Sequence, residues 1–165
     1  MVTKIINLYT YDELNDKAKE KARNEWIAGN DYSWLQSDMI NVLKEKLDER
    51  GLKYDVDSID VRYSLSYCQG DGFMFVGKVM WRDVEITITH GSNHYSHKKT
   101  ADFGYNWLLT NDELGQFKAV YESICDEMER IGYDGIEYED SEENFIEACE
   151  SNEYTFREDG TMENI

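Results

Sequence analysis

The sequence of 165 residues predicts an α+β fold, in which an antiparallel sheet of about four to five strands carries two N-terminal and two C-terminal helices. Apolar residues recur at helical spacing near both ends of the chain and alternate with the period of a strand in the middle. The helices are therefore clustered rather than interleaved with strands, which is typical of the α+β class. The 41% apolar and 13% aromatic content predicts a real core, and the length predicts a single domain over residues 1–165.

The N-terminal part predicts one short strand and two helices. The letters KIINLY at 4–9 favour a strand, and Thr10 with Glu13 forms a capping box that begins a helix. Apolar residues recur at every fourth position of this helix: Leu14, Ala18, Ala22 and Trp26. Gly29 is expected to end it in a left-handed conformation. A second helix is expected over residues 34–50, before Gly51, and its apolar side consists of Leu35, Met39, Val42, Leu43 and Leu47.

The middle of the chain has the period of β-strands. Residues that alternate between 58 and 67 are expected on one strand face: Ile59, Val61, Tyr63, Leu65 and Tyr67. The letters QGDG at 69–72 predict a turn, and residues 73–81 and 83–90 predict two further strands. An antiparallel meander is the economical arrangement, and the segment that follows, up to residue 100, indicates a loop.

The C-terminal third returns to helical spacing. A second capping box, Thr110 with Glu113, begins a helix that Gly132 is expected to end. The apolar stripe of this helix consists of Leu114, Phe117, Tyr121, Ile124, Met128 and Ile131. A shorter helix over 141–150, a strand within 153–158 and a turn at Asp159-Gly160 complete the prediction.

The formal net charge of −18 is distributed unevenly along the chain. Residues 1–110 contain 17 acidic and 14 basic side chains, whereas residues 111–165 contain 18 acidic and 3 basic. The stretch 133–154 contains nine acidic residues and no lysine or arginine. This balance disfavours direct binding to nucleic acid or to an anionic bilayer, and it favours a positively charged partner. Solubility alone would also explain an acidic surface.

Carboxylates on the two C-terminal helices recur at i, i+4 and i+7 and would project from one helix face each. Four helical residues rise by about 6 Å, the same order as the phosphate spacing in a nucleic-acid strand. We therefore predict a partner-binding surface that mimics or blocks a nucleic-acid site, with Tyr133, Tyr138 and Tyr154 as aromatic anchors. Its predicted contact residues are Glu122, Asp126, Glu129, Glu137, Glu139, Glu143, Glu147 and Glu150.

No assembled catalytic motif is present, and the sequence predicts no catalytic residue, metal or cofactor. Three histidines do lie within eight residues: His90, His94 and His97. Asp83 or Asp102 could complete a metal site with them, but loop spacing alone does not aim three rings at one point. Cys68 could act as a nucleophile with a histidine as its base. A small metal- or cysteine-dependent enzyme that uses these residues is thus the alternative hypothesis.

The three cysteines form no CxxC pair, which favours a reducing compartment. The N-terminus lacks the long apolar region of a signal peptide, and no run approaches the length of a membrane span. We therefore expect a cytoplasmic protein that does not bind a membrane.

Three stretches are informative together: YTYDELNDKAKEKARNEW, SLSYCQGDGFMF and FIEACESNEYTFREDG. They resemble a family of small acidic proteins from bacteriophages and mobile elements, some of which carry an antitoxin-like label. The resemblance implies an inhibitor of host defence, of the anti-CRISPR or antirestriction type, that acts in the host cytoplasm. Its partner would be a basic nucleic-acid-binding protein such as a host nuclease or a CRISPR effector. An antitoxin-like or accessory protein-binding module is the remaining alternative.

Overall fold

A computed structural model describes residues 1–92, 94–105 and 108–163 of the chain. In these ranges the helices are α1 (Asp16–Ala28), α2 (Leu35–Glu49), α3 (Asn111–Glu139) and α4 (Glu142–Ser151). The strands are β1 (Asp60–Ser64), β2 (Gly72–Trp81), β3 (Val84–His90), β4 (Ala101–Gly104), β5 (Thr155–Phe156) and β6 (Met162–Glu163). Strands β1 to β4 form one antiparallel sheet and β5 pairs with β6, which confirms the predicted α+β class.

The chain divides into two compact units. The terminal unit comprises Met1–Tyr32 and Gly135–Ile165, and the central unit comprises Ser33–Asp134. Helices α1 and α4 with the β5–β6 ladder lie in the terminal unit, and helix α2 with the four-stranded sheet lies in the central unit. Most of α3 belongs to the central unit, and its last residues belong to the terminal unit. The prediction of a single domain over 1–165 stays a prediction.

The terminal unit has an aromatic core around Phe145 of α4. The Phe145 ring is fully buried, and its centre lies 5.0 Å from the rings of both Tyr11 and Trp26. Phe156 of β5 is also fully buried, with its ring centre 6.2 Å from that of Phe145. Edge-on aromatic pairs at such distances add to the free energy that apolar burial supplies. This core therefore fixes α4 to the first segment of the chain.

The central unit is built on the β1–β2–β3–β4 meander, in which sequential strands are antiparallel neighbours. Phe75 pairs with Val61 across β1 and β2, and Val79 pairs with Ile86 across β2 and β3. Tyr121 of α3 is almost completely buried, and its hydroxyl donates to the Phe75 carbonyl at 2.9 Å and accepts the Phe75 N–H at 3.1 Å. These two hydrogen bonds tie α3 to an interior strand of the sheet.

Several predicted elements are confirmed close to their expected bounds. Helix α2 ends before Gly51, as predicted, and Gly51 has a left-handed φ of 67°. The second capping box also forms, since the Thr110 N–H donates to Glu113 Oε2 at 2.9 Å and the Glu113 N–H donates to Thr110 Oγ1 at 3.2 Å. Helix α4, strand β5 and the turn at Gly160, where φ is 89°, follow as predicted.

The prediction of a strand over 4–9 is wrong. Within 4–9, Tyr9 forms a β-bridge with Phe156, whereas Ile5 and Ile6 are exposed and pair with no strand of the described residues. The capping box of Thr10 and Glu13 does form, but it precedes a single 3₁₀ turn rather than α1. Helix α1 begins later, because the side chain of Asn15 caps it.

The predicted left-handed conformation of Gly29 at the end of α1 is also wrong. Gly29 has a φ of −85°, so α1 ends in a right-handed conformation, with the Gly29 N–H bonded to the Trp26 carbonyl at 3.1 Å. A glycine after a helix therefore permits a left-handed stop without requiring one.

Gly132 does not end α3, which continues to Glu139. A Cβ atom at Gly132 would lie 2.5 Å from Leu65 Cδ1 and 3.1 Å from Met39 Cε. The glycine is therefore required for close packing inside a helix, and the sequence signal of a helix stop was misleading.

The alternating segment 58–67 forms a shorter strand than predicted. Strand β1 ends at Ser64, and Tyr67, which was expected on the same face as Val61, is 65% exposed with a left-handed φ of 58°. Strand β4, at Ala101–Gly104, was not predicted. Its four residues follow the histidine-containing segment and carry too little alternation to show a strand.

Candidate partner-binding surface

Helix α4 places carboxylates on the side opposite its buried residues. Ser141 caps the helix, since its hydroxyl oxygen accepts the Asn144 N–H at 3.2 Å. Phe145 and Cys149 are buried. The exposed side of the helix contains Glu143, Glu147 and Glu150. A carboxylate in the first turn is favourable near a helix N-terminus, but one in the last turn is not. The helix dipole therefore accounts for Glu143 and does not account for Glu150.

The end of α3 adds an exposed tyrosine to these carboxylates. Tyr138 is 51% exposed, and its hydroxyl donates to Glu147 Oε2 at 3.4 Å. The negative charge of Glu147, partial burial and the charges of Glu143 and Glu139 raise the pKa of the Tyr138 hydroxyl above its ordinary value. Tyr138, one of the three predicted aromatic anchors, is thus surrounded by negatively charged side chains. Glu137 beside it is exposed.

These carboxylates have no cationic partner in the part of the chain that the structure describes. The terminal unit contains 17 acidic and 6 basic residues, a net charge of −11. Its ion pairs use other carboxylates: those of Glu25, Glu142, Asp159 and Glu163. Among the described residues no lysine or arginine nitrogen lies within 4.0 Å of a predicted contact residue of this unit: Glu137, Glu139, Glu143, Glu147 and Glu150. We call these five residues the acidic surface.

Two of the three predicted contacts on the central part of α3 form ion pairs, unlike the carboxylates of the acidic surface. Glu122 pairs with Lys99 at 2.5 Å, and Asp126 pairs with Lys98 at 2.7 Å. The same helix carries a third paired carboxylate, which was not among the predicted contacts. Glu129 is half-buried and forms no ion pair among the described residues. The spacing of acidic residues along the sequence could not show that Glu122 and Asp126 are paired, because Lys98 and Lys99 come from a different segment of the chain.

A third paired carboxylate of α3, which was not a predicted contact, is Glu127. It lies 3.1 Å from Lys46 Nζ and 3.3 Å from an Arg50 guanidinium nitrogen. Hydrogen bonding to Lys46, with a smaller effect from Arg50, lowers the pKa of the Glu127 carboxyl. The α3 charges of the central unit are therefore largely compensated within the unit.

Tyr133, the second predicted anchor, is engaged inside the central unit. Its hydroxyl donates to Asp71 Oδ2, and the same carboxylate accepts hydrogen bonds from Ser64, Ser66 and Cys68. Burial would raise the pKa of Asp71, but these hydrogen bonds, above all that from Tyr133, hold it well below the usual range. The sequence showed QGDG only as a turn and gave no sign of this polar centre.

Three residues of the alternative, enzymatic hypothesis form local hydrogen bonds: Cys68, His90 and His97. The Cys68 thiol donates to Asp71 Oδ1 at 3.2 Å. His97 Nδ1 accepts the Lys99 N–H at 3.1 Å, and His90 Nε2 lies 2.8 Å from the Tyr95 carbonyl oxygen. No cluster of three or more His, Cys, Asp or Glu side chains among the described residues is arranged to hold a metal ion.

A cavity of about 540 Å³ lies beside these residues in the central unit. It is lined by Gln69, Gly70, Asp71, Tyr95, His97 and Thr100. The Asp71 carboxylate in this lining already accepts hydrogen bonds from Ser66, Cys68 and Tyr133.

Comparison with known proteins adds no relative: no family model, curated protein or solved structure matches this chain. None of the helices in the described ranges is both long and apolar enough to cross a bilayer.

Proposed function

We propose that this chain is a non-enzymatic inhibitor that binds the basic nucleic-acid site of another protein through the acidic surface. The observation that carries the proposal is the lack of any cationic partner for the five carboxylates among the described residues. Like charges at helical neighbour positions cost a few tenths of a kcal/mol per pair in the free protein. A cationic cleft would remove this repulsion on binding.

The chemistry of the partner follows from the groups on the surface. Arginine binds carboxylates in the same two-pronged geometry that it uses for phosphates, so a nucleic-acid groove can accept carboxylates. Glu143, Glu147 and Glu150 rise along one side of α4 by about 6 Å per four residues, which is close to a phosphate spacing. Tyr138 supplies apolar contact area among them.

The central-unit contacts Glu122 and Asp126 contribute less to this binding, because the partner would have to replace Lys99 and Lys98. Glu129 has no such competitor among the described residues and stays in the proposed contact set. The resemblance to phage proteins favours a nuclease of host defence or a CRISPR effector as the target, with both proteins in the host cytoplasm.

The direct test adds the purified protein to a panel of CRISPR effectors and restriction nucleases and measures DNA binding and cleavage. We expect inhibition of at least one nuclease, with binding that weakens as salt is raised. Reversal of Glu143, Glu147 and Glu150 to lysine should weaken binding by about tenfold or more, since opposed charge pairs become repulsive.

A matched control variant distinguishes the loss of the acidic surface from the change in the protein's net charge. Glu20, Glu45 and Glu85 are exposed and form no ion pair among the described residues, so their reversal to lysine changes the net charge equally. This control should retain inhibition. Equal loss in both triple variants, or no bound nuclease in the panel, would contradict the proposal.

The alternatives make different predictions in the same assay. An enzyme would lose activity in Cys68→Ala or in a triple His→Ala variant, whereas an inhibitor of the proposed type keeps full inhibition in both. An antitoxin-like module would bind a basic protein that cleaves no DNA.

A further inference from the structure

The terminal unit contains a cleft that the acidic surface does not account for. It has a volume of about 300 Å³ and lies between the first segment of the chain and the C-terminal end of α4. Its inner part is formed by buried or half-buried residues: Tyr11, Ile146, Cys149 and Tyr154. Small-molecule sites occupy about 300–1,000 Å³, so this cleft suits one long side chain better than a large ligand.

The outer part of the cleft is acidic. Its exposed charged residues are Asp12, Glu150 and Glu153, and none of them forms an ion pair among the described residues. Burial, followed by the charges of Asp12 and Glu150, raises the pKa of the Cys149 thiol to about 11. The negative potential of the outer carboxylates therefore reaches the floor of the cleft.

We propose that this cleft binds one arginine side chain of the basic partner. An arginine lays its aliphatic stem along apolar surface and keeps its guanidinium at the polar edge, which matches an apolar floor below three carboxylates. Two tyrosines, Tyr11 and Tyr154, belong to this apolar lining, along which the stem would lie. The inference rests on the proposed function, because it assigns the point at which the partner's chain is anchored.

Lys19 is near the cleft but is not among the residues that line it. Its Nζ lies 5.5 Å from the centre of the Tyr11 ring, a cation–π distance. Lys19 forms no ion pair with the three outer carboxylates in the described ranges, and their charge stays available to a partner.

The test titrates the isotope-labelled protein with an acetyl-Gly-Arg-Gly amide peptide and follows backbone and methyl signals by NMR. We expect saturable shifts at Ile146, Cys149 and Tyr154. The neutral citrulline peptide of the same shape should bind at least about fivefold more weakly, because charged hydrogen bonds are the stronger ones. Equal binding of both peptides, or shifts confined to other parts of the protein, would overturn the proposal.

Two double variants of equal charge localise the effect. Glu150→Gln with Glu153→Gln should lower the affinity for the arginine peptide by about threefold or more, since two outer carboxylates are lost. Glu20→Gln with Glu45→Gln lies outside both the cleft and the acidic surface and should leave the peptide's affinity unchanged. An equal loss in both would show general attraction to charge and would remove the cleft as the site.

The outcomes also separate this inference from the function on which it rests. If the protein inhibits a nuclease but the arginine peptide does not shift the cleft signals, the arginine site is wrong and the inhibitor function stands. If the peptide binds the cleft and no basic nuclease is bound, the proposed function is wrong.

Discussion

At the scale of single residues, Glu153 combines an unfavourable backbone with a place in the cleft. Its φ is 53°, a left-handed conformation that glycine adopts without cost. The Tyr154 N–H bonds to the Cys149 carbonyl at 2.9 Å, and the Glu153 N–H lies 3.4 Å from the Glu150 carbonyl oxygen. This is the helix-ending arrangement in which glycine is the usual residue. A glutamate here costs stability.

We predict that Glu153→Gly raises the free energy of unfolding by about 1 kcal/mol, because glycine relieves the left-handed strain. Glu153→Ala is the matched control: it also removes the carboxylate but keeps the strained backbone, so it should not be stabilised. Chemical denaturation followed by tryptophan fluorescence measures both. A glycine variant that is no more stable than the alanine variant would show that the backbone carries no strain.

Asp71 is a second residue whose contribution to stability can be measured with a substitution. Asp71→Asn replaces an acceptor of several hydrogen bonds by a side chain with two N–H donors, so we expect a loss of about 1–3 kcal/mol at neutral pH. The exposed Asp57, replaced by Asn, is the control and should change stability by less than about 0.5 kcal/mol.

The effect of Asp71→Asn on the free energy of unfolding should depend on pH. The pKa of Asp71 is lowered by folding, so its stabilisation is fully present above the unfolded pKa of about 4 and is lost as pH falls below it. The difference in stability between the natural protein and Asp71→Asn should therefore narrow between neutral pH and about pH 3. A difference that stays constant over this range would contradict the role of the ionised carboxylate.

At the scale of secondary-structure elements, two glycines of α3 make opposite predictions. Gly132→Ala should lower stability by about 1–3 kcal/mol, because the added methyl group would meet Leu65 Cδ1 at 2.5 Å and Met39 Cε at 3.1 Å. Gly115→Ala, where no atom lies within 4 Å of the new methyl, should raise stability by about 0.5–1 kcal/mol through helix propensity. Thermal unfolding of both variants is the measurement, and stabilisation of both would mean that α3 is not packed closely at Gly132.

The same helix shows what the sequence could and could not reveal. The apolar stripe and the Thr110–Glu113 capping box predicted where α3 begins and which side is buried, because these signals are local. Its end was missed, because the reason for Gly132 lies in Leu65 and Met39, far away in the chain. The prediction of a strand over 4–9 is wrong for a similar reason: its letters favour a strand, but in the described part of the chain only Tyr9 finds a β-partner, Phe156.

At the scale of the whole molecule, the distribution of charge is clearer in three dimensions than in the sequence. The sequence predicted one acidic surface over 111–165, with eight contact residues. In the structure Glu122 and Asp126 are paired with lysines of the central unit. The five carboxylates of the acidic surface form no ion pair among the described residues, although other carboxylates of the terminal unit do. Pairing depends on side chains that come from distant segments, so sequence spacing could not separate the two groups.

The most direct test of the central claim is hydrogen–deuterium exchange of the protein alone and bound to the nuclease that it inhibits. If the acidic surface is the contact, peptides from residues 137–154 should become protected in the complex, while those from β1 to β4 keep their exchange rates. Protection confined to the central unit, with unchanged exchange over 137–154, would contradict the proposal that the unpaired carboxylates bind the partner.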